Sequence, residues 1–365
     1  MHIVEFTAGS LRFVDTVPAQ APADGFVWVY LERDEYAATL PEQQALAQRL
    51  GGSALLDVHA RDLANETHPS NYDATSVYDR IVFRRLPTAD EARLAPRGAD
   101  LARIDSRAVA FAVFDRLLVS VHPPGCPTAV AFIERLATDA RLSVEAQAVR
   151  SRLPQSPADL ALQLINQMVD SYLDHRKELT RAMDGVQDAL LRADARAGTW
   201  PALMRARQRL HWLQELCEEQ QDAMQEWLDT LREQPLSDYA ADATQALARR
   251  DQLVARARDV MEHIDRVLHH ARRLEQSAET VVQIHFNAQG QRTNDIMRTL
   301  TAITAGVFAL QLFTGFFGMN FDHLPLIHSG IGMWVALLLL LALALAIVVL
   351  FWRRRYLSHE RDDEV

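Results

Sequence analysis

The sequence predicts an α+β membrane protein, with an N-terminal α/β domain, a stalk of long helices and two C-terminal membrane crossings. Three observations predict it. Two uncharged stretches, Thr299 to Phe321 and Ser329 to Trp352, lie close together, and each exceeds the roughly 20 apolar residues a bilayer core requires. No proline occurs between Pro235 and Pro325, so one helix can run unbroken into the first of them. Short β-branched and aromatic runs are concentrated before Pro154.

Residues 1–156 read as the α/β domain. Val27 to Tyr30, Ile81 to Phe83, Ala108 to Phe114 and Leu117 to Val121 predict strands, while Pro41 to Leu50 and Pro127 to Ala137 carry helical spacing. Turns such as Pro123 to Gly125 separate the elements. Residues 157–298 read as the stalk. One helix is predicted from Pro157 to Ala197 and a second from Pro201 to Gln234, divided by a helix-stop Gly198 and a helix-start Pro201. A third begins near Asp242, with apolar residues at Leu253, Val260, Ile264, Val267, Ala271, Leu274, Ala278 and Val281, a packing seam of steps three, four and seven. Continued into the membrane, it would be about 115 Å long at the α-helical rise.

Residues 299–321 and 329–352 are the crossings, 322–328 the connecting loop and 353–365 a basic, then acidic tail. Arg292 and Arg298 precede the first crossing and Arg353 to Arg355 follow the second, whereas the loop holds no Lys or Arg. Positive charge stays inside, so both termini are expected in the cytoplasm. Met1 to Asp15 has no basic start followed by an apolar core, so the crossings themselves are expected to target the chain.

Composition excludes several functions. A net charge of -10 argues against a nucleic-acid partner, which needs clustered Lys and Arg, and suits cations. Cys126 and Cys217 are far apart without zinc spacing, and read as buried thiols. No Gly-x-x-x-x-Gly-Lys loop supports ATP-driven transport. The membrane potential suffices, since a divalent ion gains about 4.6 kcal/mol per 100 mV. His263, His269 and His270 lack a hydrolase spacing, and a solvated helix face explains them; the chain is not expected to be an enzyme.

Extended past Val281, the seam reaches Asn294, Met297, Thr301, Thr304, Phe308, Gln311, Gly315 and Gly318. A face that turns polar and small at membrane depth suits a pore-lining helix, and several copies around an axis can enclose a channel. The alternative is a small-residue helix contact, which explains the glycines better than Asn294, Thr304 and Gln311.

The segment Arg292-Thr293-Asn294-Asp295-Ile296-Met297-Arg298-Thr299-Leu300-Thr301, then Gly315-Phe316-Phe317-Gly318-Met319-Asn320-Phe321, then Trp352-Arg353-Arg354-Arg355-Tyr356-Leu357, resembles the CorA superfamily of divalent-cation channels. Arg258-Asp259-Val260-Met261-Glu262-His263 is similar to that family's stalk segment with a regulatory aspartate. The resemblance implies a funnel-shaped homopentamer in a bacterial inner membrane, its pore lined by the first crossing. It also implies Mg²⁺ as principal cargo, with Co²⁺ and Ni²⁺, and no resident cofactor.

Within that resemblance, Gly318, Met319 and Asn320 form the entry filter, where neutral oxygens hold a cation through its waters. Gln311 and Thr304 would bind the water shell, Phe308, Leu300 and Met297 form apolar constrictions, and Asn294 rings the inner mouth. Phe308 and Gln311 depart from the Met and Thr that members tend to carry. Asp322, His323 and His328 are the polar groups of the entrance loop, which lacks the family's Pro-Glu pair. Two histidines there suit borderline metals, which keeps the zinc-transporting ZntB branch, for which proton coupling is implied, as the alternative. Asp259 is expected to bind a regulatory divalent ion, with Glu262 nearby and Asp170 and Asp174 as facing partners. A membrane-anchored helical scaffold or sensor is a further alternative; it predicts neither the polar stripe nor the Asn320 turn.

Overall fold

The computed structural model of the chain describes residues 1–7, 10–88, 91, 106–143, 153–170, 172–191, 199–233, 243–319 and 331–353. The chain divides into two units, Met1–Glu279 and Thr280–Val365.

Among the described residues of the first unit, seven strands make one sheet: β1 His2–Thr7, β2 Ser10–Val14, β3 Gly25–Glu32, β4 Asn71–Ala74, β5 Tyr78–Arg85, β6 Arg107–Phe114 and β7 Leu117–His122. Their order is β2-β1-β3-β7-β6-β5-β4, and only β3 and β7 run parallel, with Trp28 opposite Leu118 and Glu32 opposite His122. All four expected strands fall inside β3, β5, β6 and β7.

Phe26 to Leu31 and Leu117 to His122 are buried without interruption. A strand covered by helices on both faces has no solvent side to mark with polar residues, so it reads as a continuous apolar run. On one face Val27, Val29 and Leu31 join Ala110, Ala112 and Val119 in a core with Tyr36 of α1 (Arg33–Ala38), Leu46 of α2 (Leu40–Leu46) and Leu63 of α3 (Asp57–Ala64). Gly51 ends the turn after α2 because a Cβ there would come within 2.5 Å of the Phe114 ring. On the other face Trp28 meets Phe132 of α4 (Pro127–Ser143) edge-on at 6.1 Å. Its indole N–H donates to Ser120 Oγ at 2.8 Å, satisfying a buried donor that would otherwise be costly.

The stalk helices are α5 Pro157–Asp170, α6 Tyr172–Leu191, α7 Thr199–Glu233 and α8 Ala243–Phe317. The helix expected from Pro157 to Ala197 covers α5 and α6, while residues 171 and 192–197 lie outside the described residues. Helix α5 lies against the sheet through Leu160, Leu164, Ile165 and Met168, all buried. Tyr172 ties the helices to β5: its hydroxyl donates to Arg84 O at 2.9 Å and accepts from Gln220 Nε2 of α7 at 2.6 Å. The expected seam on α8 is buried at Val260, Ile264, Val267, Ala271, Leu274 and Ala278, and Ala257 and Leu268 join it. Polar contacts flank it, Thr180 to His270 at 2.9 Å and Gln214 to Glu275 at 2.7 Å. At 75 residues α8 is about 110 Å long. Cys126 and Cys217 are free and buried, and burial, then the Glu218 charge, pushes the Cys217 thiol up to about 12.

Candidate ion path and cytosolic metal site

The second unit consists, among the described residues, of α8 from Thr280 onward and α9, Gly332–Arg353. Both helices contain windows long and apolar enough to cross a membrane. Ala302 is 4% exposed, and a Cβ on Gly306 would meet Ile347 of α9 at 3.4 Å. With half-buried Ala309, Leu310, Phe313 and Phe317 they mark one face of α8. Small residues at 302 and 306 let two helices approach in a medium without a hydrophobic effect between them. The matching face of α9 carries Val335, Ala336, Leu340, Leu343, Ala344, Ile347 and Phe351.

The expected pore face is a different one. Asn294, Met297, Leu300, Thr301, Thr304, Phe308, Gln311, Gly315 and Gly318 are all exposed on the single chain, and Met319 is exposed beside them. The small-residue contact of the hairpin therefore uses Ala302 and Gly306 and leaves Gly315 and Gly318 open. Thr301 donates its hydroxyl hydrogen to Met297 O at 2.7 Å and Thr304 to Leu300 O at 2.8 Å. Each hydroxyl oxygen keeps its lone pairs for an incoming donor. A hydrated cation presents water hydrogens outward, so an acceptor stripe is the complementary lining.

Helix α8 stops at Phe317. Gly318 N–H donates to Thr314 O at 2.9 Å, and Met319 N–H donates to Phe316 O, three residues back, in a longer bond of 3.4 Å that closes the last turn. Asn320, Asp322, His323 and His328 lie outside the described residues.

In the first unit the structure places Asp170 and Asp259 on either side of one imidazole. His263 Nδ1 is 3.1 Å from Asp170 Oδ1 of α5, and Nε2 is 3.8 Å from Asp259 Oδ1 one turn back on α8. Glu262 is engaged elsewhere, accepting from Arg266 at 2.5 Å, and that bond and charge hold its carboxyl below the usual range. Asp174 belongs to α6, but its side chain lies outside the described set. Among the described residues no three His, Cys, Asp or Glu side chains stand close enough to share one ion. A regulatory ion at Asp259 would therefore need ligands from water or from another copy.

The solvated-face reading of the histidines holds for His269, which pairs with Asp265 at 3.2 Å and is 64% exposed. It fails for His263, and for His270, which meets Thr180 and whose imidazole is pushed down by burial, then by Arg176 and Arg273. The signal for His263 was its i,i+4 spacing from Asp259.

An α/β sheet unit with long helices, followed by two helices long and apolar enough to cross a membrane, one with an uncovered polar stripe, defines an α+β membrane protein. The chain matches the CorA-like Mg2+ transporter protein family over residues 23–355, and it belongs to that family. Over 100 residues it is 24% identical to the cobalt/magnesium transport protein CorA of Thermotoga maritima. That stretch covers 27% of this chain and only 28% of that relative's length. The complete CorA magnesium transporter of Methanocaldococcus jannaschii has the same fold, with a TM-score of 0.69 at 14% identity, over 96% of this chain and 97% of that one. The ZntB cytoplasmic domain of Vibrio parahaemolyticus aligns with a TM-score of 0.54 at 13% identity, over 80% of this chain and 98% of that one.

Proposed function

We propose that the chain transports divalent cations into the cytoplasm as a homopentamer in a bacterial inner membrane. Its first crossing lines the path, Gly318, Met319 and Asn320 form the entry filter, and Mg²⁺ is the main cargo beside Co²⁺ and Ni²⁺. The membrane potential drives entry, and cytosolic Mg²⁺ at Asp259 closes the path. The observation that carries the reading is the stripe from Asn294 to Gly318, in which polar and small residues alternate with Met297, Leu300 and Phe308, and which is exposed and distinct from the face that packs on α9. Exposed Thr and Gln at membrane depth are costly against lipid, and an axial water path between copies satisfies them.

A Zn²⁺ reading draws support from His263 between two carboxylates, because imidazole favours borderline metals over Mg²⁺. One experiment tests both. Purified protein in liposomes is given Mg²⁺, Co²⁺, Ni²⁺ and Zn²⁺ in competition, with and without a pH gradient. Mg²⁺ flux that persists without the gradient, and that Asn320→Ala abolishes with assembly intact, is the expected result. Flux confined to Zn²⁺ and dependent on the gradient would replace the first reading with the second, and no flux of any ion would end both.

A further inference from the structure

The chain is acidic overall, yet one cavity of about 300 Å³ in the first unit is lined by Arg232, Arg250, Asp251, Val254, Ala255 and Arg258. Arg232 lies in the last turn of α7, and the other five residues occupy one face of α8 near its start. Arg232 pairs with Asp229 at 2.9 Å. Among the described residues neither Arg250 nor Arg258 has an ion-pair partner. The lining therefore carries three guanidiniums against the single carboxylate of Asp251.

We infer that this cavity binds the phosphate chain of a soluble polyphosphate, either a nucleoside triphosphate or an inorganic chain. Guanidinium forks match phosphate oxygens with paired N–H donors, and three of them on two helices surround the space from more than one side. Arg250 and Arg258 are two turns apart, about 12 Å along the helix axis, which suits linked phosphates better than one. A volume of about 300 Å³ is large enough for a chain of linked phosphates. Val254 and Ala255 supply a short apolar floor. Arg258 directly precedes Asp259. An anion on its guanidinium lowers the positive field there and strengthens cation binding at that carboxylate.

The test is calorimetric titration of the metal-stripped, full-length protein in detergent at low salt, with tripolyphosphate, ATP and orthophosphate in parallel. Tripolyphosphate and ATP should bind, and orthophosphate should bind at least about tenfold more weakly because it cannot bridge two arginines. Equal affinities name the inorganic chain as sufficient, and about a tenfold preference for ATP names the nucleotide. The double variant Arg250→Gln/Arg258→Gln, at unchanged oligomer size, should lose at least about tenfold in affinity. Asp251→Asn should gain severalfold by removing the opposing charge, a change of sign that a misfolded site would not give. Absence of binding, affinity unchanged in the double variant, or no gain in Asp251→Asn overturns the assignment.

Discussion

One imidazole, that of His263, faces Asp170 at 3.1 Å through Nδ1 and Asp259 at 3.8 Å through Nε2, linking α5 to α8 beside the expected regulatory carboxylate. The two carboxylates are about half exposed, within reach of hydrated ions. If a cation at Asp259 holds the closed state, removing that carboxylate removes the ion's differential affinity for that state. Asp259→Ala should raise the Mg²⁺ concentration that halts flux by about tenfold or more. Lumenal Mg²⁺ titration of oriented proteoliposomes reads this directly, and closure at the wild-type concentration contradicts the role. His263→Gln should shift the same midpoint less, because it removes the bridge and leaves both carboxylates.

The crossings and the α8 seam were legible because their signals are local: bilayer length, absence of proline, and steps of three and four. Strands β3 and β7 were legible as unbroken apolar runs. Edge strands were not. In β2 the sequence Ser-Leu-Arg-Phe-Val leaves every residue at least partly exposed, and β4 is only Asn-Tyr-Asp-Ala, placed by Tyr72 pairing with Ile81. Helix α3 escaped notice because its weak apolar face includes His59, which hydrogen-bonds Tyr78 at 2.9 Å across the fold. At the site, the exposed stripe was readable from composition, whereas Ala302 reads as an ordinary lipid-facing alanine until α9 lies beside it. Asp170 was expected as a facing partner of Asp259, but its pairing with His263 joins helices remote in sequence, which no spacing rule gives.

Arg85 is fully buried and donates through Nη1 and Nη2 to the two carboxylate oxygens of Glu91, each at 2.8 Å. Burial pushes the Glu91 carboxyl up, but hydrogen bonds from Arg85 and the Thr88 N–H, with the charges of Arg85 and Arg107, outweigh it and hold the group at about 2. A folded value below the unfolded one stabilises fully above about pH 4.5 and is lost as pH falls toward 2. Glu91→Gln should destabilise the first unit by about 3 kcal/mol at neutral pH, because it strands a buried guanidinium. The melting temperature of the variant should then depend less steeply on pH between 4.5 and 2.

His122 ends β7 fully buried against Tyr30, ring centroids 4.6 Å apart, with neither nitrogen hydrogen-bonded among the described residues. Burial first, then Arg85 and Arg33, pushes its imidazole down to about 3. The unfolded chain takes up a proton below about pH 6.5 that the folded chain refuses, so stability falls as pH falls through that window. At pH 5 the loss is about 2 kcal/mol. His122→Phe keeps a ring against Tyr30 and removes the titration. Its melting temperature should change less than that of wild type between pH 7 and pH 5, and an equal change would show that His122 is not the group responsible.

Gly306 and Thr304 are close in sequence on opposite duties, one against α9 and the other on the open stripe. A Cβ on Gly306 meets Ile347 Cγ2 at 3.4 Å, an ordinary contact, so Gly306→Ala should keep hairpin stability and flux. Gly306→Leu adds a branched chain where α9 already sits, and overpacking of that kind costs about 1–3 kcal/mol. Thr304→Val keeps the volume and removes the oxygen that would accept from an ion's water. It should leave the melting temperature in detergent unchanged while lowering flux severalfold, the reverse of Gly306→Leu, whose first effect is on stability. If Thr304→Val instead loosens the hairpin and spares flux, the open stripe is a packing surface and the ion path runs elsewhere.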